Sequence, residues 1–229
     1  MKKYFKILFG IILLALIIIL TVYIAPYVYS LKDEEKKTQF IEYVSSLGIL
    51  GYLILISFNA IQVIIAVLPG EIFEVISGLM YGPWIGFIIV EIGIMVASII
   101  VISIMRMLKL ENSKIKRKLE NKRLFKLMKD NKRLEVIIFF ITIIPCLPKD
   151  LLVYIVPFTS IKLRRFLIIN AIARIPSIIS STFFGSSLLS GNYIIAISIF
   201  TIQALIGIVG LIFNKKIINF IYRKNKDIN

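Results

Sequence analysis

A chain of 229 residues that is 59% hydrophobic, with a mean hydropathy of +0.92, is too apolar for an ordinary soluble domain. Its apolar residues gather in runs of about twenty, the length that crosses a bilayer, while its net charge of +15 sits in Lys and Arg blocks beside those runs, without the aromatic interleaving of single-strand binders. A membrane surface rather than nucleic acid is therefore the expected partner, and with no histidine and the single Cys146, intrachain disulfides, Cys–His catalysis and histidine metal sites are excluded, so no cofactor or metal is expected.

Lys2, Lys3 and Lys6 precede an apolar run from Ile7 to Tyr29. The run exceeds the roughly 7 to 15 residues of a signal-peptide core and has no clear A-x-A cleavage site, so residues 1–30 read as a transmembrane helix with a cytoplasmic N-terminus. Residues 31–46 carry three Lys against four acids and read as an external loop. The apolar run Leu47 to Leu68 then meets Pro69-Gly70-Glu71, and the piece Ile72 to Tyr81 is too short to span alone. After Gly82-Pro83, residues 84–105 form a full span.

Residues 106–135 hold twelve Lys and Arg against four acids, with Leu124, Leu127, Met128 and Leu134 at helical spacing. This reads either as a basic amphipathic helix on anionic lipid or as a solvated helical linker, and in both cases as cytoplasmic. Val136 to Leu147 is a short apolar lead-in to Pro148-Lys149-Asp150, and Leu151 to Phe158 follows; neither can cross a membrane. The loop Thr159 to Arg165 contains Lys162, Arg164 and Arg165, and is again cytoplasmic. Residues 166–189 and 193–213 are spans, and the basic tail 214–229 is cytoplasmic.

The organising features are the two breaks, Leu68-Pro69-Gly70-Glu71 and Leu147-Pro148-Lys149-Asp150. Each sets a proline and an acid inside an apolar run, where proline removes a helical hydrogen bond and an unpaired charge is costly. They lie 79 positions apart, and the ungapped offset pairs Phe73 with Leu152, Ile76 with Ile155, Phe87 with Phe166 and Ala97 with Pro176. Interrupted apolar segments at matching places in two halves point to a transporter's binding site. If Leu47 to Leu68 crossed fully and the span from Trp84 crossed back, the basic segment would fall outside; if both breaks are re-entrant hairpins, 47–82 and 136–158, every basic block falls inside. The expected fold is an all-α, multi-pass integral membrane protein with two opposed re-entrant helical hairpins forming an inverted repeat around a midplane cavity.

Within that fold Pro69 and Pro148 suit the first turn of the short helices behind them, so two helix N-termini are expected to face one another and favour an anion. Glu71 and Asp150 share that first turn, where they act as ligands or as helix caps. Glu74 is one turn on, and Glu91 lies deep in its helix as the repeat mate of Asn170. Arg174, eight residues into its span, is roughly 12 Å deep, with Asn170 one turn away and Pro176 just beyond. The expected buried charges are Glu71, Glu74, Glu91 and Asp150 against Lys149 and Arg174. Left unpaired they would cost on the order of 15–20 kcal/mol, so pairing is expected, with the surplus carboxylates taking a proton or a cation. A purely structural ion-pair network is the alternative.

The order Pro-Gly-Glu, Gly78 and Gly82 ahead of a span, then Pro-x-x-Pro-Lys-Asp and a span with Arg-x-Pro resembles the DedA superfamily, also called VTT-domain or SNARE-associated Golgi proteins. The similarity covers about 47–189 and is strongest to small bacterial members related to yeast vacuolar-membrane proteins. It implies integral membrane proteins with opposed re-entrant hairpins that move lipids, including phospholipids and polyprenyl phosphate, between leaflets. On this chain it implies roles for Glu71, Lys149 and Asp150. The expected function is a lipid or lipid-phosphate translocase of the cell membrane, acting on anionic lipids and driven by protons. A small-ion or solute transporter using the same cavity and a non-transporting scaffold are the alternatives, and no catalytic set suggests an enzyme.

Overall fold

The computed structural model describes residues 26, 30, 33–66, 69–108, 131–143, 149–159 and 161–206, with backbone alone for 131–133. Most of the N-terminal span 1–30 and of the basic segment, Leu68, Pro148, the end of the C-terminal span and the tail lie outside them. The described elements are all helical: α1 (Glu34–Ser46), α2 (Gly48–Ile65), α3 (Gly70–Met107), α4 (Asn131–Ile143), α5 (Leu151–Ile155) running into a 3₁₀ turn (Val156–Phe158), α6 (Leu163–Leu189) and α7 (Tyr193–Ile206). Three of them, α2, α3 and α6, are long and apolar enough to cross a membrane.

Residues 31–46, expected as a loop, contain a helix instead. Asp33 caps it by accepting from the Glu35 N–H at 3.0 Å, and Glu34 and Glu35 in the first turn complement the helix dipole. The second hairpin's lead-in is already helical at Asn131, ahead of the expected Val136, and α6 starts at Leu163, so Arg164 and Arg165 belong to its first turn rather than to a loop. In both places charged residues continue a helix into the aqueous border, which apolar run length does not reveal. Arg165 Nη1 meets Glu135 Oε1 at 2.7 Å and ties α6 to α4.

The chain reverses at two well-defined places. Ala66 ends α2 in the left-handed conformation (φ 53°), its N–H returning to Gln62 O at 2.8 Å, and Pro69 is extended ahead of Gly70. Gly82 (φ 78°, ψ 175°) then breaks α3 into a short arm, 70–81, and a long arm, 83–107. The short arm runs antiparallel to α2: Gly70 lies on the Gln62 side chain, Phe73 stacks on Phe58 with centroids 6.0 Å apart, and Tyr81 meets Tyr52 at 4.5 Å. The long arm folds back so that Gly86 abuts the backbone of Ser77 and Gly78, while Gly93 abuts Ile56 and Asn59 of α2.

The short arm is held from its other side by α6. A Cβ on Gly78 would stand 2.1 Å from Thr182 O, and one on Gly185 would stand 2.0 Å from Val75 O, so the helices cross with main chain touching main chain. Around this crossing polar and charged side chains join the apolar core while large apolar side chains face outward. Asn59, Gln62, Glu74, Ser77, Ser98, Lys149, Asn170 and Arg174 are buried, whereas Ile49, Leu53, Phe58, Ile61, Trp84, Ile88 and Ile104 are exposed. Apolar faces turned outward around an interior that holds charged groups beside its apolar core suit hydrocarbon rather than water as the surrounding medium.

A buried charge cluster between the two helix breaks

The second break presents its charges from a short turn. Lys149 and Asp150 precede α5, which is five residues long, and the Asp150 side chain makes no capping bond. It turns instead to Arg174, whose Nη2 donates to Asp150 Oδ1 at 2.7 Å and whose Nε donates to Asn170 Oδ1 at 3.2 Å. Arg174 is 1% exposed, so the guanidinium fork is held at fixed geometry by two oxygen acceptors inside the protein. The i, i+4 spacing of Asn170 and Arg174 on α6 supplies the second acceptor.

Lys149 reaches the first break. Its Nζ lies 3.6 Å from Glu74 Oε1 and donates to Ser177 Oγ at 3.2 Å; the Ser177 hydroxyl passes on to the Arg174 carbonyl at 3.1 Å. The Lys149–Glu74 separation exceeds a charge-assisted hydrogen bond of about 2.8 Å, so this pair is looser than Arg174–Asp150. Tyr154 in α5 adds a bond from its hydroxyl to Ile64 O in the last turn of α2. Two breaks far apart in sequence are thereby brought together in space.

Of the residues expected from sequence, Glu74, Lys149, Asp150, Asn170 and Arg174 form this cluster directly. Glu91 sits where Arg174, Glu74 and Lys149 act on it electrostatically, yet neither of its carboxylate oxygens has a hydrogen-bond partner. Glu71 departs from expectation. It is exposed, because Gly70, Glu74, Ser77 and Gly78 form the inward face of the short arm and the residue after Gly70 is turned about 100° away. The interior charge count is then three acids, Glu74, Glu91 and Asp150, against Lys149 and Arg174. Pro69 and Gly70 start the short arm as expected, and Pro176 lies inside α6, where it removes one helical donor next to the ion pair.

The expectation of two facing helix N-termini is also corrected. A five-residue helix at the second break offers little aligned dipole, so the positive charge there comes from Lys149 and Arg174 side chains. Sequence reasoning passed over Asn59, Gln62, Ser77 and Ser177. Asn59 and Gln62, 0% and 1% exposed, carried a usable signal: two amides three residues apart on one face of an otherwise apolar run.

With this geometry the comparison with known families is decisive. The VTT domain model matches residues 68–187, just over half of the chain. The chain belongs to the VTT-domain (DedA) family. The VTT domain begins at the first break and runs to within two residues of the end of α6, taking in both breaks, the short arm and every residue of the charge cluster. The chain is thus a membrane protein by its VTT domain and by its apolar helices. Comparisons with the curated proteins and with the solved structures return no match. Among the described residues no group of three or more His, Cys, Asp and Glu is placed to hold a metal ion.

Proposed function

We propose that this VTT-domain protein translocates lipid or lipid-phosphate molecules across the cell membrane, binding the anionic headgroup at Arg174 and Lys149. The observation that carries the reading is two cationic side chains buried between helix breaks inside a molecule whose outer faces are apolar. Buried cations at depth are expensive unless they serve a ligand or a pathway. Arg174 offers a planar fork suited to phosphate oxygens, and the looser Lys149–Glu74 pair can exchange its carboxylate for a headgroup. In this reading both breaks are apices of re-entrant hairpins in an inverted repeat, the termini and the segment 106–135 are cytoplasmic, and the basic segment holds anionic lipid. The small bacterial branch related to yeast vacuolar-membrane proteins is the proposed place within the family.

Charge balance supports a coupled cycle rather than a catalytic one. With one carboxylate in surplus inside, entry of an anionic headgroup adds further negative charge, so a cation must travel with it. The test is a leaflet-reporter assay on purified protein in liposomes, with labelled phospholipids and polyprenyl phosphate. The expected result is movement of an anionic lipid in the wild type and its loss in Arg174→Ala. Flux of small solutes with no lipid movement would replace this reading with solute transport through the same interior.

A further inference from the structure

The buried polar groups around the short arm are unbalanced in kind. Among the described residues Asn59 Oδ1, Gln62 Oε1, Glu74 Oε2 and both Glu91 carboxylate oxygens are buried acceptors without a hydrogen-bond partner; the other buried side-chain groups without one are the hydroxyls of Tyr81, at the far end of the arm, Ser98 and Thr142. The Asn59 amide is fixed in this sense, because its Nδ2 donates to Leu55 O at 2.9 Å and to Ser77 Oγ at 3.3 Å, while the Ser77 hydroxyl is itself committed to Phe73 O at 2.7 Å. Its Oδ1 must therefore face the other way. Gln62 lies against Gly70, the Asn59 Cβ lies against Gly93, Glu74 follows Gly70 by one turn on the same face, and Glu91 is close enough to Glu74 for their charges to interact, so α2 and both arms of α3 bring these side chains to one part of the interior. Buried acceptors without donors each cost about 1–3 kcal/mol, and a positive ligand satisfies them together.

We propose that Asn59 Oδ1, Gln62 Oε1, Glu74 Oε2 and Glu91 form a binding site for a monovalent metal cation of the sodium type, adjoining the anionic-headgroup site at Lys149 and Arg174 through Glu74, whose other oxygen faces Lys149. Three features choose this ligand. The ligating atoms are hard oxygens, two of them amide carbonyls, which suit an alkali or alkaline-earth ion. The interior surplus is one negative charge, which a monovalent ion balances and a divalent ion overshoots. The site also borders the C-terminal turn of α2, whose dipole favours a cation, while Glu71 in the first turn of α3 answers the opposing dipole of that helix. The proposal rests on the transport reading only for its role as the coupling ion; the binding site stands on the geometry alone.

The test is equilibrium binding to the full-length protein purified in a neutral detergent, with no lipid substrate and no gradient. Thermal unfolding is followed in sodium chloride, potassium chloride and choline chloride at equal ionic strength and at several pH values. Sodium should raise the Tm saturably over choline, because an ion that binds only the folded state stabilises it. Glu91→Gln should abolish that rise, and Gln62→Leu should weaken apparent affinity on the order of tenfold or more. Equal Tm values in sodium and choline, a response to pH alone, or an undiminished sodium effect in Glu91→Gln would overturn the proposal. The wild-type salt comparison decides it even if a variant fails to fold, and a negative result leaves headgroup transport to be judged by the liposome assay.

Discussion

Arg174 is the side chain on which the interior depends most, because its fork closes on Asp150 and Asn170 at once. Arg174→Ala should leave Asp150 without a partner and cost about 3–5 kcal/mol, nearer the lower figure because Asp150 keeps 14% exposure. Adding Asp150→Asn should recover much of that stability in thermal denaturation without recovering lipid transport. Recovery of transport as well would make the pair a structural brace rather than a ligand site. Arg174→Lys should keep the charge yet lose function in the liposome assay, since one ammonium cannot reproduce both bonds. At this scale the sequence was informative about charges and silent about orientation. Arg174 and Asp150 were legible because a charge in an apolar run must be answered somewhere. Glu71 and Glu74 are three residues apart with similar context, and only the packing of Gly70 and Gly78 against neighbours decides which one turns inward.

Among the elements, α3 carries two glycines with opposite requirements. Gly82 has open space around its missing side chain but a backbone (φ 78°, ψ 175°) that is all but reserved for glycine, so Gly82→Ala should cost about 1–3 kcal/mol through strain alone. Gly78 has ordinary helical backbone but no space, since a Cβ would strike Thr182 main chain. Gly78→Ala should cost about 1–3 kcal/mol or more, because main chain cannot step aside as a side-chain tip does. Thermal unfolding of both variants, with Gly82→Asn and Gly78→Ser beside them, tests the mechanisms: asparagine favours the left-handed region at ψ of about +45° and not ψ 175°, so it should recover nothing at 82, and serine should recover nothing at 78. The breaks and the short arm were readable from Pro69, Gly70, Gly82 and Pro83. The helix in 31–46 and the early start of α4 were not, because border helices are set by capping and by charge pairs such as Arg165–Glu135 rather than by apolar periodicity.

For the molecule as a whole, the proposed arrangement of hairpins makes a topological prediction. With single cysteines introduced in a Cys146→Ala background, an impermeant thiol reagent added to intact cells should label position 46 or 191 and spare positions 121 and 162. External labelling at 121 would place the basic segment outside and remove the hairpin arrangement. The same arrangement gives the basic surplus of residues 106–135 a measurable role. Vesicle binding by the purified protein should weaken as salt rises and as anionic lipid is withdrawn, since each Lys or Arg near the surface contributes about 1 kcal/mol that salt screens.

The crossing of the short arm with α6 gives this architecture a mechanical character. Where Gly78 meets Thr182 and Gly185 meets Val75, the two helices share a point of contact with no side chain between them, which fixes their separation. The point falls near the middle of an arm about 18 Å long, with Glu74 on one side and Tyr81 on the other. In the proposed transport reading this crossing is a fulcrum: a tilt of the arm that widens the gap at Gln62 and Gly70 narrows the gap at Tyr52 and Tyr81. We expect paired spin labels at 62 and 70 and at 52 and 81 to change their separations in opposite senses when a headgroup analogue is added, while a pair at 76 and 186 beside the fulcrum stays constant. Changes of the same sign at both ends would show a hinge elsewhere. In that reading the two ends of the arm open in opposite senses, and two openings that exclude one another are what a carrier requires and a channel lacks.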